Sequence, residues 1–426
     1  MLERLRLSGY RLLDDFEADL GQLTVVIGAN ATGKSTILDA LSLITYSLEF
    51  PVEDVLSVRG GLLSILNRSG TRRDLRCALT LAKPKSHPLW HVMPIDDDRR
   101  LVFEARLGHD ATGKTQVLVE SLRDSEPYDR RTQPLKLLEV RGSSAKIYDA
   151  QHKKLRAFNE PKPPQSSDSK HPDAPISSLL PTPRAALLLS QMRFINEYPI
   201  QTWMRGYMAS FAYYPGFDVS REAPVRTKLA EIKPITTLNP NGDNLGAVLH
   251  EVLTRHDFRN VATDLSDFFV AAYPQVEAIS AETAFGGEPR VLVRVRERGL
   301  HRATEVWELS DGMLRFLLIA TALLNPIPPG FVAIDEPEAG LHPKLLPVVA
   351  DMIRAASERS QILVTTHSPE LLSRFDLTDI AVLRRDENSA RWHRPADRAS
   401  LRTMLEAELG GTLGELHTSG ELEAIA

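Results

Sequence analysis

Apolar residues along this chain recur with two different periods. From Leu2 to Leu20 they alternate with charged residues, as in Leu2-Glu-Arg-Leu-Arg-Leu7, which predicts two short strands about a turn at Ser8-Gly9. The alternation returns near 75–82, 99–107, 115–121, 135–140 and 145–149, and the turn residues between these stretches predict an antiparallel meander. Leu23-Thr-Val-Val-Ile27 is instead a nearly unbroken apolar run, the pattern of a strand covered on both faces, and Ile37, Leu38, Leu41 and Leu43 then follow at helical spacing. From about Ala157 to Pro183 neither period holds. Pro161-Lys-Pro-Pro-Gln-Ser-Ser-Asp-Ser-Lys170 offers too little apolar surface to offset the entropy of ordering, and it reads as a linker or surface loop. Beyond it, Arg184 to Met208 reads as interrupted helix, Phe211 to Tyr214 as an aromatic strand, and Asn244 to Val270 as helix carrying Leu245, Val248, Leu249, Val252 and Leu253 on one face. Val291–Arg296 and Ala303–Trp307 return to strand character, and the remainder alternates strand with helix. No repeat of fixed period is present.

The buried run at Leu23 leads into Gly28-Ala-Asn-Ala-Thr-Gly33-Lys34-Ser35, a complete phosphate-loop motif between strand and helix. Glycines at 28 and 33 let the backbone turn tightly enough for successive N–H groups to face phosphate oxygens, and the helix N-terminus adds positive potential. The candidate nucleotide contacts are therefore Asn30, Ala31, Thr32, Gly33, Lys34, Ser35 and Thr36, with the Ser35 hydroxyl also directed at Mg²⁺. A second formal match, Gly108-His-Asp-Ala-Thr-Gly113-Lys114-Thr115, lies between two alternating stretches with no helix after it. It reads as the turn of a β-hairpin and a decoy.

The C-terminal half supplies further polar positions at strand ends. Gly330-Phe-Val-Ala-Ile-Asp335-Glu336 is an apolar run ending in two carboxylates. Ligands gather at the carboxyl ends of parallel strands, so Asp335 is a candidate Mg²⁺ ligand and Glu336 a candidate general base. Ser310-Asp311-Gly312 precedes an apolar helix that Ser310 can cap, and it offers a second anion site that a symmetric dimer could present to its partner's nucleotide. Gln361-Ile-Leu-Val-Thr-Thr-His367 is another strand, followed by Ser368 and Pro369 as helix cap and first residue; His367 is thereby placed near Asp335, facing a γ-phosphate or the attacking water.

Composition narrows the reading little. The chain has 426 residues, 25% charged and 42% hydrophobic, with a formal net charge of -5, which argues against a generally basic nucleic-acid coat but not against a local basic surface. Arg59, Arg68, Arg72, Arg73 and Arg76 form one local cluster, read either as a solvated face or as a DNA contact. The single cysteine, Cys77, allows no intrachain disulfide and reads as a core residue in a reducing cytosol. The N-terminus lacks the apolar segment of a signal peptide, and the run Phe316 to Leu324 is too short to span a bilayer, so a cytoplasmic location away from the membrane is expected.

With these residues assembled, the chain resembles the ABC-type ATPases of the SMC and RecF branch, especially bacterial AAA-family ATPases related to the OLD nucleases. The resemblance rests on the phosphate loop, Leu309-Ser-Asp-Gly312, Phe331 to Glu336, Glu338-Ala-Gly-Leu-His342-Pro343 and His367; Leu7-Ser-Gly-Tyr-Arg11 and Asn241-Gly-Asp-Asn-Leu245 are also similar to those proteins. It implies an α/β fold, a two-lobed ABC-type P-loop NTPase head with an antiparallel β-lobe and a helical insertion. The expected division is an N-terminal ATPase lobe (1–156), a linker (157–183), a helical insertion with a short strand (184–275) and a C-terminal ATPase lobe (276–426). It further implies ATP and Mg²⁺ as cofactors, Arg11 as a nucleotide contact, a head-to-tail homodimer around ATP in which Ser310 and Gly312 reach the γ-phosphate in trans, and Glu336 with His367 as the catalytic pair. Asp311 stands where transporter relatives carry glycine, the family's Q-loop glutamine has no assigned counterpart, and a TOPRIM nuclease domain of the kind OLD proteins carry is not expected in the stretch after His367. An ATPase acting on DNA or on a separately encoded nuclease or effector, in phage defence or DNA repair, is the leading expectation. A nucleotide-gated scaffold with negligible hydrolysis and an ATPase subunit of a transporter are the alternatives.

Overall fold

The alternating stretches pair into one eight-stranded sheet, in the spatial order Phe16–Asp19, Leu2–Ser8, Asp74–Ala82, Arg100–His109, Thr115–Pro127, Pro134–Arg141, Ser144–Asp149 and Lys154–Ala157. Every pairing is antiparallel. Period-2 pleating sends Leu75, Cys77, Leu79 and Leu81 inward from one strand and leaves Arg76 outside. Cys77 is fully enclosed and burial pushes its thiol up, so it stays protonated and inert. The structure, a computed structural model, describes residues 1–69, 72–82, 100–127, 134–141, 144–149, 154–157, 185–193, 195, 197–284, 290–387, 389–395 and 417–418. The expected linker, 157–183, lies outside these residues except for Ala157.

This sheet belongs to a unit made of Met1–Leu20, Asp39–Phe211 and Arg385–Arg391. The interrupted helix expected over 184–208 is, in the described residues, a 3-10 turn at Leu188–Gln191 and a helix at Pro199–Ala209, which proline starts with its preset φ. The turn is held by Glu120, a fully buried carboxylate that accepts the backbone N–H of Leu188 at 2.5 Å and of Leu189 at 2.8 Å.

A second unit comprises Gly21–Leu38, Ala212–Arg384 and Trp392–Ala426. Its sheet carries five parallel strands in the spatial order Ala212–Tyr214, Phe331–Asp335, Gln361–Thr365, Leu23–Ile27 and Ile380–Asp386, the last entering it through Ile380–Val382. The compact units thus cut across the boundaries read from the sequence: the phosphate-loop strand pairs with strands of the C-terminal half, not with the meander that follows it. All five of its residues are buried, the state of a strand covered on both faces, which explains why it shows no alternation. The helices Leu245–Thr254, Arg259–Ala272, Asp311–Leu323 and Leu346–Ser357 share one core with this sheet and with a smaller one built on Val276–Ala284 and Arg290–Glu297, through residues such as Leu249, Phe269, Phe316 and Ile353.

Two expectations are corrected. The helical stretch Asn244 to Val270 breaks at Arg255, whose backbone is extended with ψ of 130° and whose guanidinium is held by Glu251 and Asp257. The strand expected over 303–307 is two residues long, Thr304–Glu305, because Glu305 and Glu308 form a capping box that turns the chain into a 3-10 helix at Val306. Among the described residues no helix is long and apolar enough to cross a membrane.

Candidate functional site

The chain leaves the central strand at Ile27, turns through Gly28 to Gly33, and enters the helix Lys34–Tyr46. Gly28 has φ of 152°, and a Cβ there would stand 2.2 Å from the carbonyl oxygen of Leu383, so no side chain fits. Ala31 is held at φ of 62°, a left-handed conformation costing roughly 1–3 kcal/mol that persists only where the surroundings impose it. Thr32 Oγ1 ties the loop by donating to the Ala29 carbonyl at 2.9 Å. Lys34 is buried, and its Nζ donates to the carbonyls of Gly28 at 2.8 Å and Ala29 at 3.1 Å. Its charge is thus held against the loop backbone, where the first turn of the helix also points its N–H groups. This cradle suits a polyphosphate. Ser35 and Asp335 would add two oxygen ligands for a magnesium ion that keeps water and phosphate oxygens in its remaining positions, the usual habit of that ion.

The strand order decides what meets the loop. Gln361–Thr365 lies between the phosphate-loop strand and Phe331–Asp335, with Asp335 opposite Thr365 and Thr365 opposite Val26. Asp335 Oδ1 accepts the Thr365 hydroxyl. The N–H of Glu336 donates to the Thr365 carbonyl and to its Oγ1, each at 3.1 Å, and Glu336 adopts φ of 47°. A second strained residue therefore sits at this strand end. The N–H of Thr366 donates to the Val26 carbonyl at 3.1 Å, which fixes the next loop against the phosphate-loop strand. His367 Nε2 stands 3.4 Å from Glu336 Oε1. Burial, reinforced by the charge of Lys34, lowers the His367 pKa despite Glu336 and Glu338 pulling it up. The imidazole is then neutral at pH 7, and its contact with Glu336 is polar without being an ion pair.

Ser310 caps the helix Asp311–Leu323, its Oγ accepting the N–H of Met313 at 3.3 Å. A buried arginine organises the approach to this helix. Arg226 donates from Nε to the Val219 carbonyl at 2.8 Å, from one terminal nitrogen to the Leu309 carbonyl at 2.8 Å, and from the other to Asp311 Oδ1 at 2.7 Å. A Cβ at Gly312 would have the Gly340 carbonyl at 3.7 Å and the Tyr273 hydroxyl at 3.8 Å, and no phosphate-loop atom lies within 4 Å of it.

Arg11 belongs to the other unit, where it pairs with Asp39 at 3.1 Å. Asp39 also accepts the hydroxyl of fully buried Tyr10 at 2.6 Å and Arg59 Nε at 2.8 Å. Arg59 is therefore turned inward, its side chain 12% exposed, and drops out of the arginine cluster read from the sequence. Strand register builds a different exposed arginine row instead: Arg76 opposite Arg106, Arg106 opposite Val119, Val119 opposite Arg141. The row borders a groove of about 640 Å³ whose acids Asp74 and Glu104 neutralise part of it. The second phosphate-loop match is the turn of a hairpin, with His109 opposite Thr115. Asp110 already accepts the N–H groups of Thr112 at 2.8 Å and Lys114 at 3.0 Å, so donors a phosphate would need are spent.

Sequence reasoning gave no role to Thr365, to Glu338 beyond its place in a turn shared with the resembled family, or to Arg226. The first two had a signal, since Thr365 ends the His367 strand and Glu338 lies two residues beyond Glu336. Arg226 had none, because its five partners are scattered over Val219 to Asp311.

Comparison with known proteins gives one family match: residues 23–373 fit the family described as "AAA domain, putative AbiEii toxin, Type IV TA system". A 44-residue stretch, 10% of this chain, is 46% identical to an OLD nuclease of Thermus scotoductus and spans 8% of that protein's length. An SMC head bound to the C-winged helix domain of ScpA aligns with TM-score 0.51 at 14% identity, over 92% of this chain and 97% of that one. A Smc head with an extended coiled coil, bound to the C-terminal domain of ScpA from Pyrococcus furiosus, aligns with TM-score 0.50 at 11% identity over 96% and 99%. Identities this low establish a shared fold and nothing further.

Proposed function

This chain belongs to the AAA domain family matched across residues 23–373, and from that membership we propose that it hydrolyses ATP as a head-to-tail dimer controlling a DNA transaction or a separate effector. It has the fold of an ABC-type ATPase of the SMC/RecF/OLD-like branch. One observation carries the proposal: the phosphate loop, Asp335 with Glu336, and His367 all stand at the carboxyl ends of three neighbouring parallel strands of one sheet. Bound ATP with magnesium would supply the electrophilic phosphorus and the metal charge. The loop from Asn30 to Thr36 then holds phosphate oxygens, Lys34 neutralises them, Ser35 and Asp335 face the metal, Glu336 takes the proton of the attacking water, and His367 orients that water or the γ-phosphate.

Ser310, Gly312 and Arg11 complete the reading as nucleotide contacts, the first two from the partner of a dimer. A nuclease or other effector encoded apart from this chain, with a role in phage defence or DNA repair, is proposed from the likeness to the OLD nuclease stretch. DNA is proposed to meet the arginine row of Arg76, Arg106 and Arg141.

The test is steady-state ATP turnover by the full chain, alone and with single-stranded, blunt and nicked DNA, beside Lys34→Ala and Glu336→Gln, with light scattering of Glu336→Gln with and without ATP. Turnover lost in both variants, and an ATP-dependent doubling of mass, is expected. Nucleotide binding with no turnover in the wild type would favour the scaffold alternative. A Glu336→Gln protein that binds no nucleotide and stays monomeric refutes the proposal.

A further inference from the structure

The turn Glu336-Pro-Glu338 carries two carboxylates, and the proposed chemistry uses the first. The second serves the His367 loop. Glu338 Oε1 accepts the Thr366 hydroxyl at 2.6 Å and the backbone N–H of His367 at 2.9 Å. Thr366 is fully buried, and its own hydroxyl oxygen accepts the N–H of Ser368 at 3.0 Å. Three consecutive residues are thereby referenced to one carboxylate oxygen, while the Thr366 N–H is referenced to Val26 on the phosphate-loop strand. Glu338 Oε2 is buried too and has no hydrogen-bond partner among the described residues. A carboxylate held in this way gains its interactions through Oε1 alone, so its place is set by the loop it binds.

The two glutamates grip the histidine from different sides. Glu336 meets the ring, at 3.4 Å from Nε2, and Glu338 meets the backbone that carries the ring. Each comes from the same turn, so a shift in either is felt by His367. We infer that Glu338 is a positioning residue, whose carboxylate fixes Thr366 and His367 so that the imidazole stays against Glu336. The inference rests on the ATPase reading above for its catalytic consequence, and on the geometry alone for its structural one.

Glu338→Ala and Glu338→Gln in the full chain test it, alone and combined with His367→Ala. Glu338→Ala should bind a fluorescent ATP analogue within about threefold of wild type while kcat falls about 10- to 100-fold, the scale of a displaced catalytic group. Glu338→Gln retains an oxygen that can accept both donors and should regain most of that loss. On the His367→Ala background, removing Glu338 should cost little more, because the two act as one unit. In protein labelled with ¹⁵N-histidine and free of nucleotide, the His367 ring signals should move in Glu338→Ala and return in Glu338→Gln. Wild-type kcat in Glu338→Ala, equal impairment of the two folded variants, or a full additional loss on the His367→Ala background would overturn the inference. If wild type itself shows no ATP turnover, the functional reading fails and the histidine signals still decide: unmoved His367 signals overturn the positioning role. Should Glu338→Ala not fold, Glu338→Asp, too short to span the same distances, takes its place with the same expectations.

Discussion

Replacing Arg226 by methionine isolates what a buried charge contributes to the helix that begins at Ser310. Methionine keeps the apolar stem and removes every donor. The Val219 and Leu309 carbonyls, both on buried residues and each bonded at 2.8 Å, lose their donors, and the longer bonds to Trp307 and Val306 go with them. An unsatisfied buried carbonyl costs about 1–3 kcal/mol, so the two short bonds set a loss of roughly 2–6 kcal/mol. Relief from desolvating the guanidinium offsets part of this, and about 3 kcal/mol is expected to remain. Asp311 enters differently. Its side chain is 76% exposed against 5% for Arg226, so it returns to water in Arg226→Met, and because in Asp311→Ala the guanidinium keeps its carbonyl acceptors, that variant should cost less than Arg226→Met. Urea unfolding of both variants measures the contrast, and ATP-dependent dimerisation on a Glu336→Gln background reports whether Ser310 has moved. The reasoning fails if Arg226→Met unfolds within about 1 kcal/mol of wild type, or if Asp311→Ala is equally destabilised, because the carbonyls would then not be the source of the stability.

Three further outcomes are expected. Lys34→Ala should weaken ATP-analogue binding by at least about tenfold, the worth of a charged hydrogen bond, whereas Lys114→Ala should leave it unchanged; an equal effect at both would restore the hairpin turn as a phosphate site. Burial pushes the fully enclosed Glu120 up from 4.5 to about 7, so the folded chain keeps a proton that the unfolded chain has already lost across that interval. Its stabilisation is complete below about pH 4.5 and declines as pH rises through about 7, by about 3 kcal/mol in all, and a Glu120→Leu protein whose unfolding shows the same pH slope would contradict this. Changing Arg76, Arg106 and Arg141 together to glutamine should flatten the salt dependence of duplex DNA binding by about one unit of log–log slope for every phosphate left without its arginine, and an unchanged slope would remove that face from consideration.

The local chemistry of the site was legible along the chain because it is written at short range. A phosphate loop needs glycine where φ is positive, a lysine six residues beyond the first glycine and a helix directly after, and all of these are neighbours in sequence. The same holds for Ser310 and Ser368, whose caps reach only three residues ahead. The hairpin decoy was legible for the same reason, since the absence of a following helix is a local fact. What the chain could not announce was pairing at long range. That Leu23–Ile27 sits beside Gln361–Thr365, some 340 residues away, follows from burying two apolar faces and two edges at once, which only the folded sheet can satisfy. The inward turn of Arg59 toward Asp39, the arginine row across Asp74–Ala82, Arg100–His109 and Pro134–Arg141, the reach of Arg226 to Asp311 and the hold of Glu338 on His367 are of the same kind. Charged side chains in a sequence are all alike exposed in prospect. Tertiary structure decides which are taken out of water, and a buried charge must then find partners wherever the fold has brought them.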